Sequence, residues 1–149
     1  MSIKSQEGNL QKLVQVLSRG LCNIYGEREQ GPNGDKRVFL HVGAVFLRAL
    51  ARDLGLKEAR VTTNAEGIGS PGSCTLMGMW EAEGLYLTLT QFSGPDGRAV
   101  LYRSIRDMQD YKGGYNRFLT VRELAHTDYP LLLEMLGALK KEDANERIA

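Results

Sequence analysis

The chain has 149 residues, of which 42% are hydrophobic and 25% charged, with a formal net charge of +1. That length suits one domain with a genuine core, and that composition suits a water-soluble globular protein. The near-neutral balance excludes a global attraction to nucleic acid or acidic lipid, so any such binding must come from a local patch. The two cysteines, Cys22 and Cys74, form no CxxC pair. Reduced thiols in a cytoplasmic setting are therefore expected. The polar N-terminus has no signal-peptide pattern, and no apolar run is long enough to span a bilayer.

In chain order, residues 1–8 are expected to be a frayed lead-in. The spacing of Leu10, Leu13, Val14, Leu17, Leu21 and Ile24 predicts an amphipathic helix from Asn9 to Tyr25, with Asn9 as its N-cap. Residues 26–34 contain no apolar side chain and read as a solvated loop. A second helix is predicted from Lys36 to Leu54, capped by Asp35. Its stripe runs through Val38, Val42, Val45, Phe46, Ala49 and Leu50, widened by Phe39, Leu40 and Leu47, with Arg48, Arg52 and Asp53 on the wet side. Gly55 followed by Leu56 has the chemistry of a Schellman ending.

Residues 60–64 suggest a short strand, and the segment from Gly72 to Ile105 organises the whole chain. It reads as three antiparallel strands, 73–80, 85–92 and 98–105. In the middle one Leu85, Leu87 and Leu89 alternate with Tyr86, Thr88 and Thr90, the mark of a half-buried sheet. The connector Ser93–Gly97 contains Pro95, Asp96 and Gly97, each suited to its place in a tight turn. Short links of this kind join antiparallel neighbours into a meander. Arg106–Arg117 is polar and irregular, with Gly113 and Gly114 as a turn. Thr120 and Glu123 have capping-box spacing, with Leu119 and Leu124 placed as a staple. A last helix begins near Asp128–Pro130 and presents Leu132, Leu133, Leu136 and Leu139, and residues 142–149 are expected to fray. The fold class expected is α+β in a single domain over residues 1–149: a meander of three to five strands with N-terminal and C-terminal helices mainly on one face.

Several segments have features that bear on function. The loop Gly67–Ser73 presents Gly67, Gly69, Ser70 and Gly72 in the manner of an anion-cradling nest. A phosphate loop also needs a helix directly after its glycines, and here a strand follows, so a plain connector is the favoured reading. The two histidines, His41 and His126, show no metal-ligand spacing, and no cofactor is expected. His41 sits on an apolar helix, where a histidine is more often buried or half-buried than catalytic, whereas His126 falls in a polar break and should be exposed. A thiol-imidazole pair using Cys74 is a minor alternative for which the sequence supplies no proximity. The carboxylates Glu81, Glu83, Asp107 and Asp110 read as turn residues.

The stretch from Arg98 to Arg122 holds six basic residues against two acids, a local balance of +4, with Tyr102, Tyr111, Tyr115 and Phe118 interleaved. Arginine and tyrosine together form protein hot spots or grip phosphates and stack on bases. Within it Arg103, Arg106, Tyr111, Lys112, Tyr115 and Arg117 are the expected binding residues. The function expected is a small non-catalytic binding protein with a protein or small-ligand partner. Nucleic acid or a nucleotide-like anion is the alternative, and a small enzyme using Cys74 or His41 a distant third.

Overall fold

A computed structural model of the chain describes residues 3–18, 34–65, 72–91, 96–109 and 114–140, with side chains from Gln6 in the first segment and from Lys36 in the second. Nine elements follow in order among these residues: α1 (Ile3–Ser18), α2 (Gly34–Asp53), β1 (Lys57–Asn64), β2 (Ser73–Met79), β3 (Gly84–Thr90), β4 (Val100–Ile105), β5 (Arg117–Leu119), α3 (Val121–Ala125) and α4 (Tyr129–Gly137). The strands form one antiparallel sheet in the order β1-β2-β3-β4-β5, so the α+β meander is present with its full five strands. No helix among the described residues is long and apolar enough to cross a membrane.

Alternation sets which way each strand faces. Leu85, Leu87 and Leu89 are buried, while Tyr86, Thr88 and Thr90 between them are half-buried. The register places Leu87 between Leu76 and Tyr102, and Leu89 between Cys74 and Val100, so these residues share the inner face. α2 lies on that face. Gly43 allows the approach: a β-carbon there would stand 2.7 Å from Cys74 Sγ, well inside contact distance. Phe39, Phe46, Leu47 and Leu50 of α2 complete the core with Leu10, Leu13 and Leu17 of α1. Burying a side chain of this size contributes about 1.5–3 kcal/mol each.

The ends of α2 show how local chemistry sets boundaries. Gly55 adopts φ +72, its amide donates to the Arg52 carbonyl at 3.0 Å, and the Leu56 amide donates to the Ala51 carbonyl at 3.0 Å. This double bond is the Schellman ending. Trp80 then donates from Nε1 to the Leu54 carbonyl at 2.9 Å, tying the end of the helix to the end of β2. The capping box of α3 is formed, with the Glu123 amide donating to Thr120 Oγ1 at 3.0 Å and the Thr120 amide donating to Glu123 Oε1 at 2.9 Å. Asp128 caps α4 by accepting from the Leu131 amide at 2.8 Å.

Four expectations need correction. α1 begins at Ile3, so residues 3–8 form its first turns, and Asn9 lies inside the helix, where its side chain donates to Gln6 Oε1 at 2.8 Å. The buried Gln6 recruits those early turns, a tertiary effect that apolar periodicity does not register. α2 begins at Gly34, so Asp35 lies within its first turn rather than at the cap. The stripe of α2 is rotated: Val38 is 41% exposed, and the buried side instead centres on Phe39, Phe46, Leu47 and Leu50. β1 begins at Lys57, with a bulge before Arg60 that holds Glu58 at φ 56. Residues 19–33 and 141–149, including the expected end of α1 and the expected frayed tail, lie outside the described residues.

A polar cluster around two buried side chains joins α1, α2 and α4. Tyr129, fully buried, donates its hydroxyl to Asp53 Oδ2 at 2.7 Å and accepts from Gln6 Nε2 at 3.2 Å. Glu7 Oε1 accepts from the Tyr129 amide at 2.7 Å, and the Tyr129 ring meets Phe46 edge-on, with centroids 6.1 Å apart. Burial raises the pKa of the Tyr129 phenol above the usual tyrosine range; the Gln6 hydrogen bond lowers it and the Asp53 hydrogen bond raises it.

Candidate functional site

Among the described residues the helices gather on the inner face, and the opposite face of the sheet presents the side chains of the strands themselves. Register defines two rows across it. One runs Arg60, Met77, Tyr86, Arg103, and the next runs Thr62, Thr75, Thr88, Leu101, Phe118. Neither row contains a carboxylate. Thr75 and Thr88 meet at 3.2 Å through their hydroxyls, which gives the middle of the face a polar seam.

Three arginines stack on aromatic rings at the β4–β5 side of this sheet, Arg103 and Arg98 on rings of this outer face and Arg117 from the inner-face row that it shares with Tyr102. Arg103 lies over its cross-strand partner Tyr86 at 4.1 Å from the ring centroid, and donates to Asn116 Oδ1 at 3.0 Å. Arg98 lies over Phe118 at 4.5 Å, and Arg117 over Tyr115 at 5.1 Å. Such a pair is worth about 0.5–1 kcal/mol at an exposed site, enough to orient a guanidinium without consuming its N–H groups. Arg98, Tyr115, Asn116, Arg117, Phe118, Thr120 and Glu123 line a cleft of about 460 Å³.

Of the expected binding residues, Arg103, Tyr115 and Arg117 come together here, with Tyr115 70% exposed. Arg106 is exposed just past the end of β4, and Tyr111 and Lys112 lie outside the described residues. Arg122 pairs with Asp96 at 3.1 Å, which offsets part of the local positive balance. Sequence reasoning counted Arg98 and Phe118 in the basic, aromatic stretch without naming them as binding residues, and did not single out Tyr86. Cross-strand pairing brings these residues together, and only the alternation of β3 hinted that Tyr86 faces outward.

The other candidates fare differently. Gly67, Gly69 and Ser70 lie outside the described residues. Gly72 is buried, its amide donating to Gln91 Oε1 at 3.5 Å and a β-carbon there meeting Lys36 Cγ at 3.0 Å. Cys74 is a free thiol with no exposed surface; it points at the Leu40 carbonyl 3.7 Å away, and burial pushes its pKa up to about 12 despite Arg48. A thiol in that state is a poor nucleophile. His41 is exposed, contrary to the expectation for an apolar helix, because it falls opposite the rotated buried side of α2. His126, exposed as expected, ends α3 with Nδ1 2.8 Å from the Arg122 carbonyl. No group of three or more potential metal ligands occurs among the described residues.

A second groove of about 460 Å³ lies between α1 and the α3–α4 junction, walled by Glu7, Val14, Leu124, His126 and Asp128 among others. Its two carboxylates cap the first turn of α4, accepting from the Tyr129 and Leu131 amides. Comparison with protein-family models, with curated proteins and with solved structures found no match.

Proposed function

We propose that this chain is a non-catalytic binding protein that holds an acidic protein partner on the helix-free face of its sheet, at the β4–β5 side. The observation behind this reading is the pair of arginine–aromatic stacks on that face, Arg103 over Tyr86 and Arg98 over Phe118, in two strand rows without a carboxylate. Rings that hold guanidinium groups in place lower the ordering cost of binding, and Arg and Tyr are the side chains that dominate hot spots. Nucleic acid is the second reading, supported by the exposed Tyr115 ring beside Arg117, which offers a base a stacking surface next to a cation. A cytoplasmic location belongs to the same proposal. It predicts that native material carries both cysteines as free thiols by mass, and a stable Cys22–Cys74 disulfide would contradict it.

The test is a set of anisotropy titrations with labelled polyglutamate and with single- and double-stranded DNA and RNA, at low and physiological salt. The variant Arg98→Ser/Arg103→Ser/Arg117→Ser serves as control. The proposal expects polyglutamate to bind with a salt-dependent affinity that the triple variant loses. Steeply salt-dependent binding of nucleic acid alone would favour the second reading, because each neutralised phosphate releases condensed counterions. Binding of neither polymer at low salt would overturn both.

A further inference from the structure

The groove between α1 and the α3–α4 junction has the opposite electrical sign to the arginine-bearing face. Among the described residues that line it are two carboxylates, Glu7 and Asp128, and no lysine or arginine. Both carboxylates are held by the first turn of α4. Glu7 Oε1 accepts from the Tyr129 amide at 2.7 Å, and Asp128 Oδ1 accepts from the Leu131 amide at 2.8 Å. A carboxylate accepts through both oxygens, so Oε2 and Oδ2 can each take a further donor while the capping is kept. His126 adds a third acceptor. Its Nδ1 lies 2.8 Å from the Arg122 carbonyl, which can only accept, so the neutral ring carries its proton there and Nε2 is an acceptor. These three do not make a group able to hold a metal ion. A ligand that uses them has to be larger than an ion and carry several donors.

We infer that this groove takes an arginine side chain of an extended partner peptide, with its guanidinium between Glu7 and Asp128. The site is separate from the acidic-partner face and does not rest on that reading. A guanidinium has five N–H donors in a planar fork and no acceptor, which complements an end of the groove built from acceptors. Leu10 follows Glu7 by one turn of α1 and, with Val14 and Leu124, gives the groove an apolar wall against which the arginine stem can lie. The stripe from Glu7 through Val14 to Gln15 extends about 12 Å along the helix, the length of about three or four extended residues rather than of one side chain. Gln11 and Gln15 line its far part, and each amide offers a donor and an acceptor to a peptide backbone. The attraction is local, since a chain of net charge +1 gives a basic peptide no general pull. Because capping already fixes the two carboxylates, little ordering is needed when the guest arrives.

The experiment uses the full chain and three end-capped fluorescent hexapeptides: Gly-Arg-Ala-Leu-Ala-Gly and its citrulline and lysine counterparts. Citrulline keeps the shape of arginine without the charge, so that peptide should bind about tenfold weaker, the loss expected when one charge-assisted hydrogen bond is not made. Lysine keeps the charge without the planar fork and should fall between the two. Glu7→Gln and Asp128→Asn retain an acceptor for the α4 amides, asparagine being a good N-cap, and remove only the charge. Each should weaken the arginine peptide several-fold, with the citrulline peptide's affinity and the circular dichroism spectrum unchanged. Amide shifts on binding should fall at Glu7–Gln15 and Leu124–Asp128. Equal affinity of the arginine peptide and either counterpart overturns the assignment to a guanidinium, as does unchanged affinity in both variants. Shifts confined to the β4–β5 face, or no binding at millimolar peptide, overturn the site itself.

Discussion

Removing the hydroxyl of Tyr129 is the sharpest perturbation of the helical layer. Tyr129→Phe keeps the ring and its edge-on contact with Phe46, so no cavity opens. It deletes the donor to Asp53 Oδ2 and the acceptor for Gln6 Nε2, and Gln6 has no exposed surface from which to recruit water. A buried donor left unsatisfied costs about 1–3 kcal/mol, and a hydrogen bond to a charged acceptor about 1.5–3 kcal/mol. Asp53 keeps some solvent access, with 25% of its side chain exposed, so the second term falls at the low end. The expected loss is about 2–4 kcal/mol, a shift of roughly 1–2 M in a urea midpoint at unchanged slope. Adding Gln6→Met removes the orphaned donor, so the double variant should be more stable than the two single losses predict by about 1 kcal/mol. A Tyr129→Phe midpoint within about 0.5 kcal/mol of wild type, with additive losses in the pair, would refute the network as a stabilising element.

Other perturbations test the core and its ionisation. Leu87→Ala should cost about 2–5 kcal/mol by denaturation, because Leu87 is 2% exposed at the centre of the inner face; a midpoint unchanged from wild type would contradict that assignment. Gly43→Ala should destabilise by about 1–3 kcal/mol, since its methyl group would meet Cys74 Sγ at 2.7 Å, and combining it with Cys74→Ala should recover part of the loss. The Cys74 thiol holds its proton to about 12 in the fold against 9.0 in an unperturbed chain. Its folded pKa is the higher one, so the unfolded chain loses this proton first. The thiol's contribution is fully present below pH 9 and lost as pH rises from 9 towards 12. Wild type should therefore lose more stability than Cys74→Ala between pH 8 and about 10.5, and equal losses would show that the thiol does not stay protonated in the fold.

How much of this was legible in the chain follows from which interactions are local. The meander was, because Leu85, Leu87 and Leu89 alternate with polar residues and Asp96–Gly97 and Gly84 mark turns. So were the Schellman ending at Gly55 and the capping box at Thr120, each fixed within six residues of sequence. The start of α1 was not: the burial of Gln6 depends on Tyr129, 123 positions away. The face of α2 was misjudged for a related reason, since Gly43, rather than the valine stripe, sets where the helix meets β2. At the candidate site the sequence singled out the segment but not every residue that the fold gathers there. Arg98, Arg103 and Arg117 were visible as local charge, whereas Tyr86 joins them only through the β3–β4 register and the place of Arg98 is set by its stack on Phe118.

The central claim is that the β4–β5 side of the helix-free face is the binding surface, and amide mapping tests it most directly. Polyglutamate titrated into the isotopically labelled protein should shift amides from Ala99 to Arg103 and from Tyr115 to Leu119, together with Tyr86, while α1 and the α3–α4 groove stay unchanged. Shifts confined to Glu7–Gln15 and Leu124–Asp128, or none at saturating polymer, would contradict it.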